Sequence, residues 1–324
     1  MNKNDFFLVK NYQTDQAIKN MYREAFNKSS DNIKISKLSG GLKNAVYLIE
    51  DESKKVVLKI APKPKDEIKM ITVDRGVLWW EVEMLKLMEA IDFPSPRLLY
   101  YDDKSRICES SYMFMSYISG SNYLECKDNL TQKEIENIEH QLGNLCSIIC
   151  SIKRENFFLP AQPDKIFNSN YEFVSNLFEL LLNDASERNM DLGVDGYRKI
   201  RNIVEMRKDS LNNVSNLCLS HTDAWDGNII IDNGNIAGIV DFSDLYHCDE
   251  LLTFYFHTID GKTSDSFLKG FNDKQLSYDE KIRIEIYRMY VILKMIIDCE
   301  LKQYGKFNWM YDNLETRIKI LQKI

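Results

Sequence analysis

Apolar and polar residues alternate with two different periods along the chain. Over residues 15–27, Ile18, Met21, Tyr22 and Phe26 recur at helical spacing, which predicts one amphipathic helix. From Ile33 the period shortens to that of strands, predicted at 33–35, 45–50 and 55–60 as a meander. Helical spacing returns at 77–90, where Val77, Trp80, Met84, Leu87 and Met88 share a face, and strands follow at 97–101 and 111–117. Beyond Gly120 the chain turns helical. Thr131 and Glu134 have capping-box spacing, and Ile135, Ile138, Leu142, Leu145, Ile149 and Ile152 form the stripe of a core helix. Further helices are predicted at 168–184, 196–210, 248–258, 264–271, 278–304 and 309–323, and no internal repeat is visible.

One stretch breaks the helical run. Residues 228–232 and 235–241 are apolar segments separated by Asn233-Gly234, the dipeptide that best tolerates the two positive φ angles of a tight hairpin turn. Pairing Asp232 with Asn235 brings Asn228 and Asp241 together at the open end. The loop that carries His221 and Asp223 then lies over the same end. Mg²⁺ takes hard oxygen ligands, one or two from protein with the rest from phosphates and water. Asn228 and Asp241 are candidates for those ligands, and Asp223 for the base that takes a hydroxyl proton. The spacing H-x-D-x-x-x-x-N followed by Asp241-Phe242 matches the catalytic and metal-binding segments of kinases. Polar hairpin loops made of the same residue types are the plainer reading.

Three upstream features bear on that choice. Gly40-Gly41 sits at the first turn of the meander, where glycines let backbone N–H groups approach a phosphate. Lys59 is a single charge in an apolar strand, with Val57 on its face and Val56, Leu58 and Ile60 on the other. It suits either an edge strand or the α- and β-phosphates of ATP. Glu81 lies beside the apolar stripe of the next helix and can turn toward Lys59; Glu83 lies farther round and is the reserve candidate.

These residues together resemble the aminoglycoside phosphotransferase and choline kinase family, small-molecule kinases with a protein-kinase-like fold. The string LSGGLKNAVYLI is similar to its nucleotide-covering loop, and HTDAWDGN followed by DFSD to its catalytic and metal segments. Thr222 replaces the usual glycine of H-G-D. The resemblance implies an α+β, two-lobed fold: an N-lobe of antiparallel sheet and one helix at 1–117, and a mostly helical C-lobe at 118–324. It implies ATP or GTP with Mg²⁺ as cofactors. Gly40, Gly41, Asn44, Lys59 and Glu81 would hold the nucleotide, with the adenine edge on the backbone of Ser116, Tyr117 and Ile118. Asp223 would be catalytic, and Asn228 and Asp241 would hold metal. The acceptor it implies is a small-molecule hydroxyl, first an aminoglycoside-type antibiotic, whose phosphorylation would confer resistance. Choline-like amines, methylthioribose, homoserine and macrolides are alternatives. Asp244, Asp249 and Glu250 are candidates for holding a cationic acceptor, with Glu285 or Asp298 as later helpers. A protein kinase is disfavoured, because no A-P-E segment follows Asp241. A pseudokinase would be expected to lose one of these residue types, and none is missing; a structural protein on this fold is the remaining rival.

Composition narrows the partners. The 324 residues carry a formal net charge of −7, which argues against nucleic acid and tolerates cationic ligands. Seven scattered cysteines without a C-x-x-C pair suit reduced thiols in a cytoplasmic protein. The apolar run YVILKMIIDC is short and interrupted by Lys294, so no membrane span is expected, nor does the first stretch read as a signal peptide. The oligomeric state is left open.

Overall fold

The computed structural model describes residues 9–38, 43–104, 106–257, 263–301 and 305–323, with side chains omitted at 254–257. Helix α1 (Asp15–Phe26) starts at Thr14, whose side chain accepts from the Ala17 N–H, and ends on left-handed Asn27. Strands β1 (Lys34–Lys37), β2 (Ala45–Glu50) and β3 (Lys55–Ile60) form the expected meander. Helix α2 (Leu78–Ala90) follows, then β4 (Leu98–Asp102) and β5 (Tyr112–Ser116), which complete an antiparallel sheet in the order β1-β2-β3-β5-β4.

Strand alternation decides what each face of this sheet touches. Leu58, Ile60, Tyr112 and Phe114 pack with Ile18 and Tyr22 of α1 on one face. Met113 and Met115 pack with Trp80, Leu85 and Met88 of α2 on the other. Lys59, one residue out of phase with Leu58 and Ile60, is therefore turned to the α2 side. It is 4% exposed, and edge-strand placement is excluded because β3 lies between β2 and β5.

The remainder is mainly helical. A short strand β6 (Ser121–Asn122) and helix α3 (Tyr123–Cys126) lead to α4 (Gln132–Cys150), which has the full Thr131/Glu134 capping box. Helices α5 (Asn170–Glu187), α6 (Gly196–Met206) and α7 (Lys208–Asn212) follow; the sequence reading ran the last two together. Strand β7 (Leu217–His221), the hairpin β8 (Ile229–Asp232) and β9 (Asn235–Ile239), and strand β10 (Leu245–Asp249) come next. The chain closes with α8 (Asp265–Gly270), α9 (Tyr278–Leu301) and α10 (Asn308–Lys323). Neither β7 nor β10 was expected: residues 245–249 form a strand and 250–257 a 3-10 helix, where one helix over 248–258 was predicted. The α+β expectation, antiparallel sheet first and helices after, holds. Among the described residues, no helix is long and apolar enough to cross a membrane.

Candidate active site

Two antiparallel pairs nest at the centre of the molecule. The outer pair joins β7 to β10, with His221 opposite Leu245. The inner pair is the hairpin β8–β9, with Asp232 opposite Asn235 and positive φ at Asn233 and Gly234, as a type I′ turn requires. The segments between the pairs leave from one end. Thr222 ties them, its N–H and its hydroxyl both donating to the Asp244 carbonyl at 2.9 and 2.8 Å, so threonine contributes a bond that glycine lacks. The Val240 N–H donates to the Asn228 carbonyl at 2.9 Å, and the Asn122 amide to the Gly227 carbonyl at 2.6 Å.

This framework gathers the predicted acids. The Asn228 amide donates to the Asp223 carboxylate at 2.9 Å and to its carbonyl at 2.8 Å, leaving the Asn228 side-chain oxygen as an acceptor. Asp241 takes a left-handed backbone conformation, φ +66°, one that non-glycine residues rarely hold outside turns and functional sites. Burial pushes the Asp223 carboxyl well above the usual range; Asp244 and Asp241 add to this, and Lys294 and Lys43 oppose it. His221 is buried, and its Nδ1 accepts from the Asp223 N–H at 3.1 Å. Burial holds its pKa down at about 4 against the pull of Asp241 and Asp244, so the ring is neutral at pH 7 and braces the loop.

Lys59 links the sheet to this end. Its ammonium meets Glu81 at 2.7 Å and Asp241 at 2.9 Å. Burial alone would lower the Lys59 pKa, yet Asp241 and Glu81 outweigh it and the ammonium is held more firmly than usual. Glu81 is pushed up to about 7, because burial and Asp241 together exceed the help from Lys59. Glu83 is exposed and pairs with Lys86 at 2.7 Å, which settles the choice between the two acids in favour of Glu81. Trp80, beside Glu81, donates its indole N–H to the Leu245 carbonyl at 2.7 Å, tying α2 to β10.

A second buried charge group was missed by the sequence reading. Lys43 meets Asp74 at 2.8 Å and Asp244 at 3.1 Å; Lys294 meets the same two carboxylates at 3.2 and 3.6 Å. The four residues come from the segment just before β2, the 3-10 turn Thr72–Asp74, the segment after Asp241, and α9. Lys294 did carry a signal, a lone charge in an apolar run, the argument that was applied to Lys59. Asn44 lies next to this group, lining with Lys43, Asp74, Trp79 and Ser243 a cavity of about 90 Å³.

The other candidates fall as follows. Gly40 and Gly41 lie outside the described residues. Ser116 ends β5 and Tyr117 and Ile118 follow it, all three half-exposed, with Ser116 bonded to Arg97 through both backbone and hydroxyl. Asp249 is buried in a different place: it accepts from Arg283 at 2.6 Å and from Tyr287 at 2.9 Å. Glu250 pairs with Lys274 at 2.8 Å and with the Asn216 amide. Both carboxylates are therefore already engaged by protein partners. Glu285 likewise pairs with Arg288 and Arg317.

Asp223, Asn228, Asp241 and the Lys59–Glu81 pair are thus brought to one end of the hairpin, and comparison with known proteins places the whole chain. The model of the phosphotransferase enzyme family matches residues 34–251, more than half of the chain, and the chain belongs to that family. Among solved structures it is similar to the ADP-bound aminoglycoside phosphotransferase APH(2'')-Ib, at 17% identity over 94% of this chain and 97% of that one, TM-score 0.60. It is also similar to a protein from Haemophilus somnus assigned as a fructosamine-3-kinase, at 18% identity over 94% and 97%, TM-score 0.67. A third is APH(4)-Ia bound to AMP-PNP and hygromycin B, at 12% identity over 94% and 98%, TM-score 0.67. At these identities the likeness establishes the protein-kinase-like fold. No curated protein matches the sequence.

Proposed function

We propose that this protein transfers the terminal phosphoryl group of ATP, with Mg²⁺, to a hydroxyl of a small molecule. The observation that carries this reading is the meeting of Asp223, Asn228 and Asp241 at one hairpin end, with the Lys59–Glu81 pair closing on Asp241. Phosphoryl transfer asks mainly for positioning and charge neutralisation. Asp223 accepts the hydroxyl proton and orients the attacking oxygen. Lys59 steadies the α- and β-phosphates, and Glu81 aims Lys59. Asn228 and Asp241 offer an amide oxygen and a half-buried carboxylate, the hard donors that Mg²⁺ takes. Among the described residues no cluster of three or more His, Cys, Asp or Glu side chains forms a cage, which suits an ion completed by phosphates and water. That ion would neutralise phosphate charge. The lobes of this reading are 1–117 and 118–324, with the adenine edge against Ser116, Tyr117 and Ile118.

The acceptor class named by the resemblance, a cationic aminoglycoside, has support in structural neighbours that bind such compounds; a metabolite kinase has support in the fructosamine-3-kinase likeness. Neither acceptor gains a contact from Asp249 or Glu250. The test is release of ADP from Mg²⁺–ATP by the purified protein against a panel of antibiotics and hydroxylated metabolites, with Asp223→Asn as control. Acceptor-dependent release that the control lacks supports the reading; release equal in both defeats it.

A further inference from the structure

The group formed by Lys43, Asp74, Asp244 and Lys294 lies beside Asp223 but is not needed by the scheme above. Its charges are balanced, two against two, yet they are not equally placed. The side chains of Asp74 and Asp244 are 2% and 4% exposed, those of Lys43 and Lys294 17% and 19%. The carboxylates are the more deeply enclosed, and the lysine side chains are the part of the group that reaches the surface. Asp244 is also occupied: it receives Lys43, Lys294 and the Tyr246 hydroxyl at 3.1 Å. A substrate ammonium brought to Asp244 would meet two lysines first.

The lysines keep donor capacity. An ammonium has three N–H groups. Lys43 donates one to Asp244 at 3.1 Å and lies 2.8 Å from Asp74 as an ion pair. Lys294 has one contact of 3.2 Å and one of 3.6 Å, the latter beyond hydrogen-bond range. Thr222, the residue before Asp223, is bonded to the Asp244 backbone, and the Asp244 carboxylate faces both ammoniums, so the pair lies at the same end as Asp223.

Resting on the kinase reading, we propose that Lys43 and Lys294 form an anion-binding pair beside Asp223, and that the acceptor carries a carboxylate or phosphate group besides its hydroxyl. Such a group would take charge-assisted bonds from both ammoniums, while the hydroxyl faces Asp223. The expected acceptor is thus a small hydroxy acid or a phosphorylated polyol rather than a polycation. The rival occupant with the same chemistry is the terminal phosphate of the nucleotide itself.

Two measurements separate these. Full-length protein is loaded with Mg²⁺–AMP-PNP, so that the terminal phosphate position is filled, and titrated calorimetrically with inorganic phosphate. Saturable binding is expected, weakened tenfold or more in Lys294→Gln and largely recovered in Lys294→Arg, with thermal melts confirming that both variants fold. Phosphate binding that is absent or indifferent to Lys294→Gln overturns the proposal. So does a loss confined to AMP-PNP affinity, which would assign the lysines to nucleotide. Failure of the wild-type protein to bind AMP-PNP at all would instead sink the kinase reading. In the acceptor panel, matched compounds with and without an anionic group are compared. Preference for the anionic members, with acceptor KM rising in Lys294→Gln at unchanged ATP KM, supports the assignment. A neutral or cationic compound used best overturns it.

Discussion

Two of the buried charge groups meet the chain a few residues apart, at Asp241 and Asp244, and they are built in opposite senses. Around Lys59, one ammonium serves two carboxylates, and Asp241 remains 28% exposed. Around Asp244, two ammoniums cover two carboxylates, and the acids are shut in. The first group leaves a carboxylate open to the cleft, where a cation is welcome. In the second it is the lysine side chains that reach the surface, at 17% and 19% exposed. Asp241 and Asp244 are three residues apart, and neighbouring sequence therefore says little about which charge a site will present. The partners say it, and they arrive from distant parts of the chain.

The sharpest way to break this comparison is to remove the point that both groups surround. Asp223→Asn is expected to fold normally and to lose transfer by about 10²–10⁴-fold, the usual cost of losing a general base. Single-turnover kinetics with near-normal rates would mean that neither group frames a catalytic centre. For the first group, Lys59→Ala is expected to lower turnover by roughly 10²–10³, and Glu81→Gln to reproduce part of that loss. The double variant should be little worse than Lys59→Ala, because the residues act as a unit. Additive losses in a full cycle would uncouple them.

For the second group, Asp74→Asn leaves two ammoniums on one carboxylate. Breaking a buried pair from one side typically costs about 3–5 kcal/mol, and the partly exposed lysines place this case at the lower end. Urea unfolding should register it; a change under about 1 kcal/mol, within the range of ordinary surface substitutions, would reduce the group to a surface ion pair.

A further effect is one of pH. The folded pKa of His221 is depressed from 6.5 to about 4 by burial, with Asp241 and Asp244 opposing. Stability from a depressed group is present above the unfolded value and lost as pH falls toward the folded one. The loss should run from about pH 6.5 down to about 4, at roughly 1.4 kcal/mol per unit. Glu81 is raised from 4.5 to about 7, so its contribution is present below 4.5 and lost as pH rises toward 7. The two slopes oppose each other. Unfolding midpoints of His221→Gln across pH 4–7 should lack the His221 part of the slope, so that stability rises less steeply with pH than in the wild type; a variant profile parallel to the wild type would refute the assignment to His221.

What was legible in the sequence follows the same lines. The hairpin was plain because Asn233-Gly234 names its own turn, and the turn fixes which residues share the open end. Lys59 and Glu81 were found because strand alternation and helix phase each point a side chain. Strands β7 and β10 were not found, since a five-residue apolar run such as LCLSH or LYHCD fits a strand or a buried helix turn equally well. The partners of the candidate substrate acids were not legible for another reason. Asp249 looks available until Arg283, 34 residues on, folds against it, and Asp244 until Lys43 arrives from 201 residues away. Local pattern reports what a residue is, and burial with its partner decides what it has left to offer.

The anchoring of α2 through Trp80 has an optical consequence. Of the four tryptophans, Trp80 is 7% exposed and packs on Phe158 and His247, with ring centroids 4.7 and 5.6 Å away. Trp79, Trp225 and Trp309 are 37%, 43% and 45% exposed. One indole thus emits from an apolar setting, immediately before the acid that aims Lys59. The other three emit from a wet one. Two of those three stand at working places: Trp79 beside Lys43 in the wall of the cavity, and Trp225 in the loop after Asp223. The fluorescence of the unlabelled chain is therefore a two-colour record, its blue edge following the seat of α2 and its red edge the traffic at the cleft.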